Sequence, residues 1–226
     1  MAGLITSSTY IMATFLHVGC GSKYKNATTR GFNTPQWNEL RLDIDPKVKP
    51  DVVGSITHMQ TVKTASIDAI YSSHNIEHLH AFEVPAALSE FVRVLNPEGF
   101  LVLTCPDLQA VAELIARDKL MQPAYNSAAG PISPLDMVFG LQTAIAKGNH
   151  YMAHRCGFTQ KVLVATLKAA GFVSIASARR PAAFDLWVLA SKIKLQETDL
   201  QNLALSHFPD NITAARIPVL DPQAAS

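Results

Sequence analysis

Cysteine is scarce and awkwardly spaced: Cys20, Cys105 and Cys156 are odd in number and form no C-x-x-C pair. This pattern excludes a disulfide framework and a cysteine zinc site, and reads as free thiols in a reducing compartment. Charged residues make up only 16 % of the chain, with a formal net charge of +1. Beyond the scattered Lys23, Lys25 and Arg30 there is no basic run, so no nucleic-acid partner is expected. Apolar stretches of membrane-spanning length are missing, and no membrane partner is expected either. The rather apolar segment 11–18 has no Lys or Arg before it, so the basic flank of a secretory signal is lacking. A cytoplasmic location is the resulting expectation. Internal repeats and low-complexity runs are also absent. Apolar residues, in contrast, reach 48 %, enough for the core of one domain with decorations.

Two familiar phosphate-binding signatures are missing as well. No G-x-x-x-x-G-K-[ST] occurs, which argues against a nucleoside triphosphate site. The run Gly19-Cys20-Gly21-Ser22-Lys23-Tyr24 begins like a dinucleotide fingerprint but carries tyrosine where the third glycine belongs. What is present is an apolar run, Phe15-Leu16-His17-Val18, breaking into that glycine turn. About twenty residues later a second run, Arg41-Leu42-Asp43-Ile44-Asp45, ends in acid. In an open α/β sheet, ligands sit beyond the carboxyl ends of the strands, where glycine lets them approach the backbone. A carboxylate at the tip of the next strand can accept hydrogen bonds from both ribose hydroxyls. A cofactor with a nucleoside but no phosphates fits this pairing, and S-adenosylmethionine is one.

Strands are predicted at 14–18, 39–43, 51–54, 67–72 and 100–104. Segment 22–38 has no helical stripe and is expected to be mostly loop. A helix from about Glu83 carries Val84, Leu88, Phe91 and Leu95 on one face and is stopped by "NPEG". Residues 107–119 and 135–147 are expected to be helical, with no regular element in the Pro- and Gly-containing stretch 122–134 between them. Thr159 caps another helix that ends at Gly171, and strands at 172–177 and 184–191 form a closing hairpin. Alternating strands and helices predict a Rossmann-like, doubly wound α/β sheet, mostly parallel. Residues 1–191 form the expected domain, interrupted by a helical cap at about 107–155, and 192–226 a C-terminal tail.

The ordered motifs "HVGCGS", "RLDIDP", "IDAIYSSHNIEHL", "FVRVLNPEGFLVLTCPDL" and "GF…LWVLA" resemble the class I S-adenosylmethionine-dependent methyltransferases, in particular the type 11 group. The resemblance spans about 14–191 and implies a seven-stranded sheet whose last strand is antiparallel. It implies that Gly19, Cys20 and Gly21 form the turn beneath the methionine part of the cofactor. Asp43 corresponds to the ribose-binding acid, followed by Ile44, with Asp45 as the alternative. Ser55 and Ile56 stand where the family has an acid and a backbone amide that reads adenine, and Met59 would pack on the adenine face. Serine there is a departure, since its hydroxyl bonds more weakly than a carboxylate. Ser73 and His74 correspond to the pair flanking the methionine moiety and the reacting methyl group.

Two polar clusters remain. In "SHNIEHLH", His74 and His78 have i, i+4 spacing with Glu77 beside them, but the segment straddles a strand-to-helix junction, so no metal is expected. His78 resembles the family's "EH" position, where a buried structural hydrogen bond is the usual role. In "GNHYMAHRCGF", His150, Tyr151 and His154 are candidate acceptor-pocket residues. His74, His150, His154 and Tyr151 are thus the catalytic candidates. The implied function is methyl transfer to an oxygen or nitrogen atom of a small-molecule acceptor. The alternative is a non-catalytic partner or regulatory protein that binds the same cofactor. Oligomeric state is not legible.

Overall fold

The computed structural model describes residues 12–212. Five strands come first: β1 (Ala13–Val18), β2 (Trp37–Asp43), β3 (Val52–Val53), β4 (Ile67–Ser73) and β5 (Leu95–Pro106). A small hairpin, β6 (Tyr125–Ser127) and β7 (Gly130–Ile132), precedes the last pair, β8 (Ser174–Arg180) and β9 (Asp185–Ser191). The helices are α1 (Val84–Val94), α2 (Leu108–Ile115), α3 (Pro134–Phe139), α4 (Gln142–Ile145), α5 (Gln160–Ala169) and α6 (Glu197–His207). The main sheet has seven strands in the order β3-β2-β1-β4-β5-β9-β8. β1 to β5 pair in parallel, and β9 enters antiparallel between β5 and β8. This is the Rossmann-like, doubly wound sheet with an antiparallel last strand.

Both faces of the sheet are covered, and the two-residue pleat sorts the side chains between them. Leu16, Val18, Ile70, Leu101, Leu103, Val188 and Ala190 are buried on one face. There they meet Val84, Leu88 and Phe91 of α1 with Leu163 and Leu167 of α5, the helical stripe at i, i+4 and i+7 that the sequence predicts. Phe15, Ala69, Tyr71, Val102, Ala176 and Leu189 are buried on the other.

That second face is covered in an unexpected way. The β1–β2 crossover contains only a single 3-10 turn, Lys25–Ala27, so the expected loop is indeed there. It supplies one large plug, Phe32, stacked on Phe15 with ring centroids 4.3 Å apart. The rest of the cover is α6. Its Leu200 and Ala204, with Phe208 just beyond, are buried in the same cluster. Thr29 Oγ1 and His207 Nδ1 lie 2.7 Å apart, and Arg30 pairs with Asp210. Segment 192–226, expected as a tail, is therefore core as far as Ile212. The chain brings back a C-terminal helix to cover a face that the first crossover leaves bare.

Three local expectations are corrected. Residues 122–134 hold the β6–β7 hairpin, joined by Tyr125↔Ile132 and Ser127↔Gly130 pairing. Residues 135–147 form two short helices, not one, because Gly140 sits at φ 91 with the Met152 carbonyl against it. "NPEG" ends α1 but lies within β5 as a register shift opposite Ile67–Ala69.

Candidate functional site

At the carboxyl edge of β1, β2 and β4 lies a cavity of about 270 Å³. The β1 turn brings Gly19 and Gly21 to it, at φ 60 and 52. These glycines are needed for different reasons. A Cβ on Gly19 would come within 2.5 Å of the Asn75 side chain, whereas one on Gly21 would meet nothing within 4 Å. Gly19 thus serves packing against the β4 turn, and Gly21 leaves open space beside the cavity.

Asp43, at the tip of β2, lines the cavity and is only 8 % exposed. Its Oδ2 accepts from the Gly21 amide at 2.8 Å and its Oδ1 from the Asp45 amide at 2.9 Å. Each oxygen keeps one further acceptor position. Asp43 therefore ties the glycine turn to the β2 turn while still facing the cavity. Ile44, Asp45, Ser55 and Ile56 line the same end. The Ser55 hydroxyl is turned into its own loop, 2.8 Å from Thr57 Oγ1 and accepting from the Thr57 amide.

The loop that replaces a first helix is held by Arg41, a buried guanidinium on β2. It donates to the carbonyls of Lys23, Lys49 and Gly21 at 3.1, 2.9 and 2.6 Å. Tyr24 lies against it, with the guanidinium carbon 4.2 Å from the ring centroid. Burial of such a cation is tolerable because its donors are satisfied by carbonyls.

At the other end, β4 runs out into His74, which adopts φ 49, the left-handed region that non-glycine residues rarely occupy. Its amide donates to the Thr104 carbonyl, and its ring lines the cavity at 49 % side-chain exposure. His74 Nδ1 is 3.3 Å from Oε1 of the fully buried Glu77. Desolvation opposes charging of the ring, but contact with the Glu77 carboxylate outweighs it and raises the His74 pKa.

The distal end of segment 107–155 closes the cavity with Asn149, Tyr151, Met152 and Arg155. It is stitched to the β4 turn by backbone bonds from Arg155 and Cys156 to the Glu77 carbonyl, at 2.8 and 3.2 Å. His78 donates from Nδ1 to the Ala153 carbonyl at 3.1 Å, and Arg155 reaches back to the His78 carbonyl. Among the catalytic candidates, then, His74 and Tyr151 line the cavity. His150 is exposed on the neighbouring turn and does not line it. His154 is directed away, with Nδ1 on the Met137 carbonyl at 2.9 Å, and burial lowers its pKa.

Cys20 is buried behind the glycine turn, its thiol pushed up to about 11 by desolvation, and Ser73 lies just short of the cavity. Met59 is packed in the core. Asn75 and Arg155 also line the cavity, though neither is among the candidates read from the sequence. Asn75 follows the strand-ending "SSH", the position where a ligand-facing turn begins, which is the one signal that points to it.

A seven-stranded sheet in this order, with a glycine turn after β1 and an acid at the tip of β2, is the fold shared by class I S-adenosylmethionine-dependent methyltransferases. Residues 16–103 match the family model described as a methyltransferase domain. No curated protein matches the chain. Among solved structures, the Burkholderia thailandensis 1,6-didemethyltoxoflavin-N1-methyltransferase, determined with 1,6-didemethyltoxoflavin and S-adenosylhomocysteine bound, aligns at 16 % identity and TM-score 0.51 over 80 % of this chain and 72 % of that one. A Mesorhizobium loti S-adenosylmethionine-dependent methyltransferase aligns at 18 % identity and TM-score 0.51 over 80 % and 91 %. A Pyrococcus horikoshii protein aligns at 13 % and TM-score 0.55 over 81 % and 84 %. At such identities the likeness is one of fold. Among the described residues no helix is long and apolar enough to cross a membrane.

Proposed function

We propose that the protein transfers a methyl group from S-adenosylmethionine to an oxygen or nitrogen atom of a small-molecule acceptor. The observation that carries this reading is the two-ended lining of the cavity. One end has Gly21 with open space beside it, and Asp43 with acceptor positions to spare. The other has His74, Tyr151 and Arg155, polar groups suited to a second molecule. A nucleoside with its diol fits the first end by donor and acceptor chemistry. The cofactor supplies an electrophilic methyl on a sulfonium.

The chain's own residues position and exclude. Asp43 receives the diol, and Ile56 offers an apolar wall for the base. Ser55 departs from the family's acid and, with its hydroxyl held by Thr57, adds little charge to that recognition. On the acceptor side, Tyr151 and His74 offer hydrogen bonds from two different elements, fixing an acceptor between them. Segment 107–155, acting as a cap, shields the acceptor from solvent. Holding the acceptor in line is worth roughly 7–11 kcal/mol of barrier in well-oriented reactions.

Calorimetric titration with S-adenosylhomocysteine, followed by methyl-transfer assays on a panel of small hydroxyl and amine acceptors, tests this reading. Submicromolar to micromolar binding with turnover on some acceptor supports it. Binding without turnover across the panel turns the conclusion to a non-catalytic cofactor-binding protein, and no binding overturns it.

A further inference from the structure

Beside the cavity, three potential ligands converge that methyl transfer as such does not require. Glu77, His78 and His154 each bring one ligand atom to a place where all three lie within 4.8 Å of one another. Glu77 is 1 % exposed, and neither of its carboxylate oxygens has a hydrogen-bonding partner among the described residues. Its one close polar contact is the 3.3 Å approach of His74 Nδ1 to Oε1. Charged His74 can meet Oε1, but Oε2 is left without a close polar contact, and burying a carboxylate in that state costs several kcal/mol unless a further cation meets it.

The two histidines are prepared for that cation. His78 Nδ1 faces the Ala153 carbonyl at 3.1 Å, and His154 Nδ1 faces the Met137 carbonyl at 2.9 Å. A carbonyl only accepts, so each Nδ1 must carry the proton. In a neutral ring, Nε2 then presents a free lone pair. Imidazoles that ligate a metal are oriented in this way, with the second nitrogen donating to a backbone carbonyl or carboxylate. The rings pack edge to face, with centroids 4.9 Å apart.

We propose that Glu77, His78 and His154 form a binding site for a divalent first-row transition ion, of which Zn²⁺ is the probe of choice. Two nitrogens and one carboxylate with positions left open match catalytic sites of the His₂Glu kind. In a tetrahedral site, bonds of 2.0–2.1 Å hold two ligand atoms about 3.4 Å apart, so any pair at the observed 4.8 Å limit must close by about 1.4 Å. The cluster adjoins the cavity through His78, which lines it beside His74. The ligand class for the open position is an acceptor hydroxyl. Bound to the ion, the hydroxyl releases its proton to water, and its oxygen bonds carbon as the sulfonium's sulfur–carbon bond breaks.

This role rests on the methyl-transfer reading, but the site itself does not. Tag-free protein is stripped with chelator and titrated with Zn²⁺ by calorimetry, with bound zinc counted after dialysis. One equivalent is expected, together with a zinc-dependent rise in melting temperature. Glu77→Gln and His154→Ala should each weaken binding by at least about 10–100-fold, the loss seen when even outer partners of a metal site are removed. His150→Ala, on the same turn but outside the cluster, should bind zinc as the wild type does. Absence of stoichiometric zinc in the wild type overturns the site, as does undiminished binding in His154→Ala. His154 is only half-buried, so this variant decides the matter if Glu77→Gln fails to fold. S-adenosylhomocysteine titration of the same samples separates the two readings. Cofactor binding without zinc removes the metal site alone, and zinc binding without the cofactor removes methyl transfer alone.

Discussion

Asp43 couples the candidate cofactor site to the fold, and Asp43→Asn exposes both roles at once. The carboxylate accepts the Gly21 amide at 2.8 Å and the Asp45 amide at 2.9 Å. Asparagine keeps the shape but has one carbonyl oxygen, so one of these amides must face an NH₂ group. The lost bond is charge-assisted, and such bonds contribute about 1.5–3 kcal/mol. Chemical denaturation should therefore show a loss of that size, without loss of the folded state. The same substitution removes one of the two acceptors offered to a ribose diol and loosens Gly21. S-adenosylhomocysteine affinity should fall at least tenfold, since about 1.4 kcal/mol corresponds to a factor of ten. Calorimetry on the folded variant checks this, alongside Asp45→Asn, which removes the charge while its amide oxygen can still accept the exposed Lys47 amide. If Asp43→Asn binds the ligand like the wild type while Asp45→Asn does not, the acid has been assigned to the wrong residue. If Asp43→Asn is as stable as wild type, the paired amides do not hold the turn as described.

Further expectations follow from the second face of the sheet and from the cap. Burial lowers the His207 pKa from 6.5 to about 4, so between these values the unfolded chain binds a proton that the folded one refuses. Stability should then be complete above about pH 6.5 and fall by about 3 kcal/mol as pH drops through 6.5 towards 4, a slope that His207→Phe should flatten in denaturation at several pH values. Phe208→Ala should cost about 3–5 kcal/mol by opening a cavity beneath α6, measurable by denaturant titration, and a marginal change would show that α6 is not part of the core. Tyr151→Phe should lower turnover on the true acceptor with S-adenosylhomocysteine affinity held within about twofold, because cofactor and acceptor occupy separate ends of the cavity. A matching loss of cofactor affinity would place Tyr151 at the wrong end.

The strand and turn order was legible in the chain because it depends on local pattern. Buried parallel strands such as β4 and β5 need continuous apolar runs, Gly19 and Gly21 need positive φ, and Thr159 caps its helix through a side chain three residues away. Periodicity and turn chemistry carry those facts in a handful of adjacent residues. What the tertiary structure alone decided are encounters between distant segments. Gln196–Ile212 shows a weak helical stripe, and only the bare face left by the first crossover makes it core. Arg41 reads as an ordinary strand residue until Gly21, Lys23 and Lys49 turn their carbonyls towards it. "SHNIEHLH" offers ligands at helical spacing but no helix. It is His154, more than seventy residues later, that meets Glu77 and His78. Whether a buried carboxylate lies alone or among imidazoles depends on where the end of the insertion docks, and long-range packing sets that position.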